Sequence, residues 1–445
     1  MTELAGASPN DPGTRRSGRL GGVISGGHSA LVLSVSVLAA LITIVVTVVA
    51  ARVLSVDDNV KFLAFWSLLF GVSQLMNGAQ NEATRAVGMS EKIDDATAGR
   101  ARVIAMPLIL GGAGALAVAA VLGGSAAFGA NLLPGVAPVV VAVSLVVVVS
   151  YGCHLTVVGA LAGRHEWTAM VGLSSAEPAV RLVTVLAVGL TLGGLVPLQL
   201  AAALPALTWL VLAAVWRPVR TAAESRADVG LARLLGNGAL AMLAAGAGAV
   251  LINGFPLITR LALNDKMTAA ALATLLLAIQ LTRAPLMMPI AVFQGVAISA
   301  FVSRSNDGPK ALVKPMLAIV GLGAALAGVM TVIGPTVMRL LYGAQYVPSR
   351  TLLAGLTFAA TSIAILTLTG TAAIAISAHR AYLAGWRLGA AAAVAGLFLL
   401  PLPPEWRVVV AVLCGPLIGV AVHLVAIGRS SDAGVVEPVE AAEVC

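Results

Sequence analysis

Polar side chains are scarce in this sequence, so the few that share a helix face are where chemistry is sought first. Gln74, Asn77, Asn81 and Arg85 stand at i, i+3, i+7 and i+11, which makes one continuous stripe along a helix. Gln280, Arg283 and Gln294 share a face of a later stretch. Glu177 and Arg181 stand at i, i+4 with the acid first, the order that favours an internal ion pair. Arg52 and Arg260 close two further apolar runs. The balance is cationic: Arg52, Arg181, Arg260 and Arg283 against Glu177. Guanidinium forks match phosphate and carboxylate oxygens. The chemistry expected is therefore the holding of an anion by charge and hydrogen bonds. Asn77 and Asn81 would act as polar lining, and Glu177 is the candidate for coupling to a cation.

Motifs for bond-making chemistry are missing. No Walker loop, HExxH or GxSxG occurs, and the five histidines are scattered singly. No catalytic residue, metal ligand or cofactor is assigned. His154 reads as a hydrogen-bonded core histidine, and Gly321 and Gly328 as helix-packing contacts. The acidic pair Asp57-Asp58 falls in a short loop between apolar runs. An acidic pair in such a loop suits a membrane glycosyltransferase, but Asp58 or Ser55 capping the next helix is the simpler account. Cys153 and Cys414 fall inside apolar runs and Cys445 ends the sequence, so no disulfide framework follows.

The elements that must position these residues follow from composition. The chain is 59% hydrophobic and 10% charged, with mean hydropathy +0.99. A soluble domain carries about 25% charged residues, so this chain cannot solvate an ordinary surface. Apolar runs of about 20 residues, each long enough to cross a bilayer as a helix, recur from Ser29 to Ile427. The reading is an all-α polytopic membrane protein with about twelve transmembrane helices. A polar tail, 1–28, precedes a six-helix bundle over 29–216. A linker over 217–233 (RPVRTAAESRADVGLAR) leads to a second six-helix bundle over 234–427, and 428–445 forms a second tail. Both tails are expected to be disordered and cytoplasmic. The eighth run holds Pro285 and Pro289, which predict a kink. The net charge of +8 comes from loops rather than from a basic patch interleaved with aromatics, which argues against nucleic acid.

Two features organise the helices. One offset of 208 residues aligns Arg52 with Arg260, Asp57 with Asp265 and Pro107 with Pro315. Such residues are scarce here, so the agreement points to a duplicated half. Lys and Arg concentrate in alternate loops, which sets both termini on the cytoplasmic side. An even helix count per half then makes the repeat parallel, related by a pseudo-twofold axis along the membrane normal, with a binding site between the halves.

At this point the residues resemble a family. The opening ARVLSVDDNVKFLAFWSLL with NGAQNEATRAV closing the next helix is similar to the start of Wzx-type polysaccharide flippases. PTVMRLLYGAQYVPSRTLLAG (Pro335–Gly355) and SSAEPAVRLVTVLAV resemble later segments of the same family. The resemblance implies the V-shaped exporter fold of the multidrug/oligosaccharidyl-lipid/polysaccharide (MOP) superfamily, close to the MATE arrangement. It also implies alternating access around a central cavity lined by helices one, two, seven and eight. On that basis Arg52, Asn77, Asn81, Arg260 and Arg283 line the cavity with Arg181. The expected substrate is an anionic polyprenyl-phosphate-linked saccharide moved from the inner to the outer leaflet. Arg283 with Arg181 would engage the phosphate, and Arg52 with Arg260 would release it. The expected setting is a bacterial plasma membrane, with surface-polysaccharide biosynthesis enzymes as partners. Three alternatives remain: a cation-coupled drug antiporter of the same fold, which needs Glu177; a membrane glycosyltransferase, which needs Asp57-Asp58; and a non-transporting scaffold partner for cell-wall enzymes. A major-facilitator transporter fits less well, because RAVGMSEKIDDATAGRAR lacks the spacing of that family's loop motif.

Overall fold

The computed structural model describes residues 26–90, 100–127, 136–283, 309–376 and 378–432. Helix is the only regular structure long enough to cross a bilayer there, as it must be where no water satisfies the backbone. The first half holds α1 (Gly26–Val53), α2 (Val56–Ser90), α3 (Ala105–Ala127), α4 (Pro138–Gly163) and α5 (Trp167–Thr191). It closes with α6 (Leu195–Val215). The second half holds α7 (Leu231–Lys266) and α8 (Ala269–Arg283). It continues with α9 (Lys310–Tyr342), α10 (Arg350–Ala375), α11 (His379–Leu399) and α12 (Pro404–Asp432). Among the described residues ten helices are long and apolar enough to span a membrane, and α1 and α8 contribute shorter apolar segments. The kink expected at Pro285 and Pro289, Gln294, and the tail over 1–25 lie outside the described residues.

Helix ends differ from the hydropathy reading in an instructive way. Asp57 and Asp58 are not loop residues; they form the first turn of α2. The Asp58 N–H donates to Ser55 Oγ at 3.2 Å, so Ser55 is the cap. Arg260 sits in the last helical turn before Asn264, at the end of its apolar run as expected. Polar residues at a helix end lower the hydropathy average but extend the helix, because they satisfy its terminal N–H and C=O groups. The two ends of the assembly are named here for what they carry: the turn end, with Leu54–Ser55, and the linker end, with residues 217–230.

The linker is built rather than loose. A short helix (Arg217–Ala223) opens it. The strand-like pair Arg102 and Arg226 follows, with Val103 N–H donating to Ser225 O at 3.0 Å and Ala227 N–H to Ala101 O at 2.8 Å. Val219, Ala222 and Ala227 are buried in the same cluster as α2, α3 and α4.

α2 is the strut of the molecule. Its turn-end half packs with α1, α4, α5 and α6, and its linker-end half packs with α3, α4 and α7. In lipid, apolar burial does not drive helices together, so close backbone approach must. Gly78 supplies one: a Cβ there would fall inside the backbone of Ala241 and Met242 on α7. Gly71 faces Gly254 of α7, where a Cβ would stand 3.5 Å from the Gly254 Cα, an ordinary packing contact. Gly321 and Gly328 do not pack as expected. A Cβ at either meets nothing within 4 Å, so they lie on an open face of α9.

Candidate functional site

The cavity lies where α1 of the first half meets α7, α8, α9 and α10 of the second. It encloses about 210 Å³, and Thr43, Thr47, Asn253, Gln280, Arg283 and Tyr342 give it its polar groups. A water occupies about 30 Å³ of liquid, so this space has room for several waters or a small polar group.

Local sequence explains why a cation stands here. α7 is interrupted by Asn253, Gly254 and Pro256, and the chain widens into a π-helical turn over Val250–Gly254. Such turns release carbonyls from the helical ladder. Arg283 takes two of them: Nη1 donates to Leu251 O at 3.0 Å and to Ile252 O at 2.8 Å. Its guanidinium lies over the Phe255 ring, 5.5 Å from the centroid. The side chain is buried, 8% exposed. Nη2 and the Gln280 Nε2 have no partner among the described residues, and no described carboxylate pairs with Arg283. Two buried donors, one of them on a cation, are thus left without a protein acceptor among the described residues.

The other sequence-predicted residues are not brought together with it. Arg181 is buried within the first half, where it pairs with the Glu177 carboxylate. Its Nε donates to Ala202 O at 2.9 Å, and its guanidinium lies over Phe70 at 5.0 Å and Trp66 at 5.8 Å. Arg181 therefore does not share the cavity with Arg283, and Glu177 is committed to Arg181. Arg52 is exposed at the turn end and donates to Leu341 O at 2.9 Å and to Leu340 O. It ties α1 to the end of α9 instead of lining the cavity. Arg260 lines a separate space at the turn end with Asp57, Lys61 and Asn264. In the α2 stripe, Gln74 accepts from Asn253 Nδ2 at 3.2 Å. Asn77 is half-buried, while Asn81 and Arg85 are exposed.

Sequence reasoning undervalued the linker end. Glu82, one turn before Arg85 on α2, is only 6% exposed. Arg85 grips it with Nε at 2.9 Å and Nη2 at 2.6 Å. Arg85 also reaches Asp228 of the linker at 3.0 Å, and Asn237 of α7 donates to Glu82 at 3.1 Å. Four side chains thus join α2, the linker and α7. Asn253 and the π-helical turn were missed as well. The signal was present: a Gly/Pro-interrupted apolar segment marks binding sites in transporters with repeats.

Comparisons with known proteins bear on the fold. No protein-family model matches the chain. Uncharacterized protein Rv3630 of Mycobacterium tuberculosis is 36% identical over 416 residues, covering 94% of this chain and 95% of the relative. An inward-facing multidrug resistance MATE family transporter of the MOP superfamily superposes with a TM-score of 0.66 at 14% identity, covering 89% of this chain and 95% of that one. The lipid II flippase MurJ, in an inward closed conformation, gives a TM-score of 0.66 at 10% identity, covering 89% and 87%. The chain shares the fold of these transporters, as the resemblance to the exporter family implies.

Proposed function

We propose that the chain, which belongs to the family of the Mycobacterium tuberculosis protein Rv3630, is a membrane transporter that moves an anionic polyprenyl-phosphate-linked saccharide between leaflets. The observation that carries this reading is Arg283: a buried cation with no carboxylate partner among the described residues, in a cavity between the halves of a transporter-type fold. An ion buried without a counter-ion is costly, and a phosphate entering the cavity offsets that cost. The cavity seats the charged group, while the prenyl tail stays in the bilayer and the glycan waits for a more open state.

The named neighbours support the class. One is a lipid II flippase, a protein named for moving a lipid-linked precursor. The excess of Lys and Arg in alternate loops supports cytoplasmic termini in a bacterial plasma membrane, beside enzymes that build surface polysaccharide. A drug antiporter coupled through Glu177 fits less well, because Arg181 already neutralises that carboxylate.

The test is flipping of a fluorescent polyprenyl-pyrophosphate sugar in proteoliposomes, wild type beside Arg283→Ala and Asp57→Ala. The expected result is transbilayer movement that Arg283→Ala abolishes and Asp57→Ala leaves intact. Sugar transfer without lipid movement, lost on Asp57→Ala, would make the protein an enzyme instead.

A further inference from the structure

The ladder of α7 is broken at one place by a side chain from another helix. In an unbroken α-helix the Leu257 N–H would donate to Asn253 O, four residues back. Here the Leu257 N–H donates to Ser67 Oγ of α2 at 3.1 Å, and Ser67 Oγ donates onward to that same Asn253 O. The hydroxyl has been inserted into the rung, a recognised cause of local helix distortion. Pro256 removes a neighbouring donor, and the Gly71–Gly254 approach lets α2 come near enough. The π-helical turn beside this bridge, Val250–Gly254, contains Leu251 and Ile252, whose carbonyls hold Arg283. Asn253 also reaches Gln74 on α2.

We propose that Ser67 is a positioning residue for the anion site: its hydroxyl keeps α7 in the π-helical turn that presents Arg283 to the cavity. Ser67 does not line that cavity and acts only through the backbone of α7. When α2 withdraws, Leu257 and Asn253 can close their own rung, the Leu251 and Ile252 carbonyls turn away, and Arg283 loses its seat. Anion binding and the contact between α2 and α7 then depend on the same turn, which gives coupling a discrete two-state element. This inference rests on the reading of Arg283 as the anion seat.

The experiment measures binding of a fluorescent polyprenyl-pyrophosphate sugar to the full detergent-solubilised chain, alongside its thermal unfolding. Ser67→Ala should weaken binding at least tenfold while unfolding stays near wild type, because α7 can re-form its own bond. Ser67→Thr, which keeps the hydroxyl, should stay within threefold. Gly71→Leu, which wedges α2 from α7, should weaken binding as Ser67→Ala does. If Ser67→Ala lowers the unfolding temperature but binds normally, Ser67 is only a packing contact and the proposal falls. If Arg283→Ala itself binds the probe like wild type, the anion-seat reading falls first. If Arg283→Ala fails to bind while Ser67→Ala and Gly71→Leu bind normally, the Ser67 proposal falls alone.

Discussion

Arg181 and Arg283 are two buried arginines in the two halves of the molecule, and they are held in nearly the same way. Each lies over aromatic rings, Trp66 and Phe70 for one and Phe255 for the other. Each donates to carbonyls beside an irregular helical turn: Ala202 ahead of the 3-10 turn Leu204–Leu207, and Leu251 with Ile252 in the π-helical turn. The difference is a single carboxylate. Glu177 neutralises Arg181, and Arg283 has no described counterpart. A neutralised pair inside a bundle fixes structure, whereas an unneutralised cation beside a cavity has charge left for a ligand. The sequence counted both as cavity cations, and geometry assigns them different work.

That contrast can be broken most forcefully at Glu177. Glu177→Ala leaves Arg181 buried and uncompensated, a change that costs about 3–5 kcal/mol in comparable buried pairs. Thermal unfolding in detergent should fall sharply. Replacing both partners, Glu177→Met with Arg181→Met, should recover most of that loss, since a packed apolar pair is often as stable as the ions. The double variant should still flip lipid. If it folds and transport is gone, Arg181 belongs to the site after all. Arg283→Ala should behave in the opposite sense. It leaves two carbonyls without that donor but also removes a buried charge that no described carboxylate compensates, so its loss of stability should be the smaller of the two, yet it should remove transport. A drop in unfolding temperature greater than that of Glu177→Ala would erase the distinction between them.

How much of this was legible beforehand depends on how far apart the partners lie in sequence. Hydropathy reported the helices because a bilayer demands long apolar runs, and Arg283 stood out because a charge in such a run is costly. The Glu177–Arg181 pair was legible because its partners are one turn apart. Ser67 was not, since the rung it enters lies 186 residues away and a serine in an apolar helix is commonplace. Glu82 shows only Arg85 as a partner one turn away in the sequence. Only the fold brings Asn237 and, through Arg85, Asp228 over it.

The linker end sharpens the contrast at an intermediate scale. Asp228→Asn removes one carboxylate from Arg85 but leaves Glu82 gripping it with two hydrogen bonds. Arg85 is exposed enough for water to screen the pair, so the cost should stay within about 1 kcal/mol. Glu82→Ala should cost more, because Glu82 is buried and also accepts from Asn237. Unfolding of the two variants side by side checks the order. Equal losses would mean that Glu82 is not the centre of the network.

The smallest effect is expected at Arg52, the third kind of arginine here, neither buried nor in the cavity. Its guanidinium donates to the last carbonyls of α9, at Leu340 and Leu341. A helix C-terminus carries about half a negative charge, and a cation there contributes about 0.3–1 kcal/mol at an exposed position. Arg52→Ala should therefore lower the unfolding temperature slightly, and high salt should shrink the difference, because exposed charges are screened beyond about 10 Å at 0.1 M. Arg52→Lys keeps the charge and loses the fork, so it should recover part of the loss. Transport should persist in both variants, since Arg52 does not reach the cavity. If Arg52→Ala abolishes flipping while the protein stays folded, the turn end carries a binding step of its own, and the division between structural and ligand-facing arginines must be redrawn to include it.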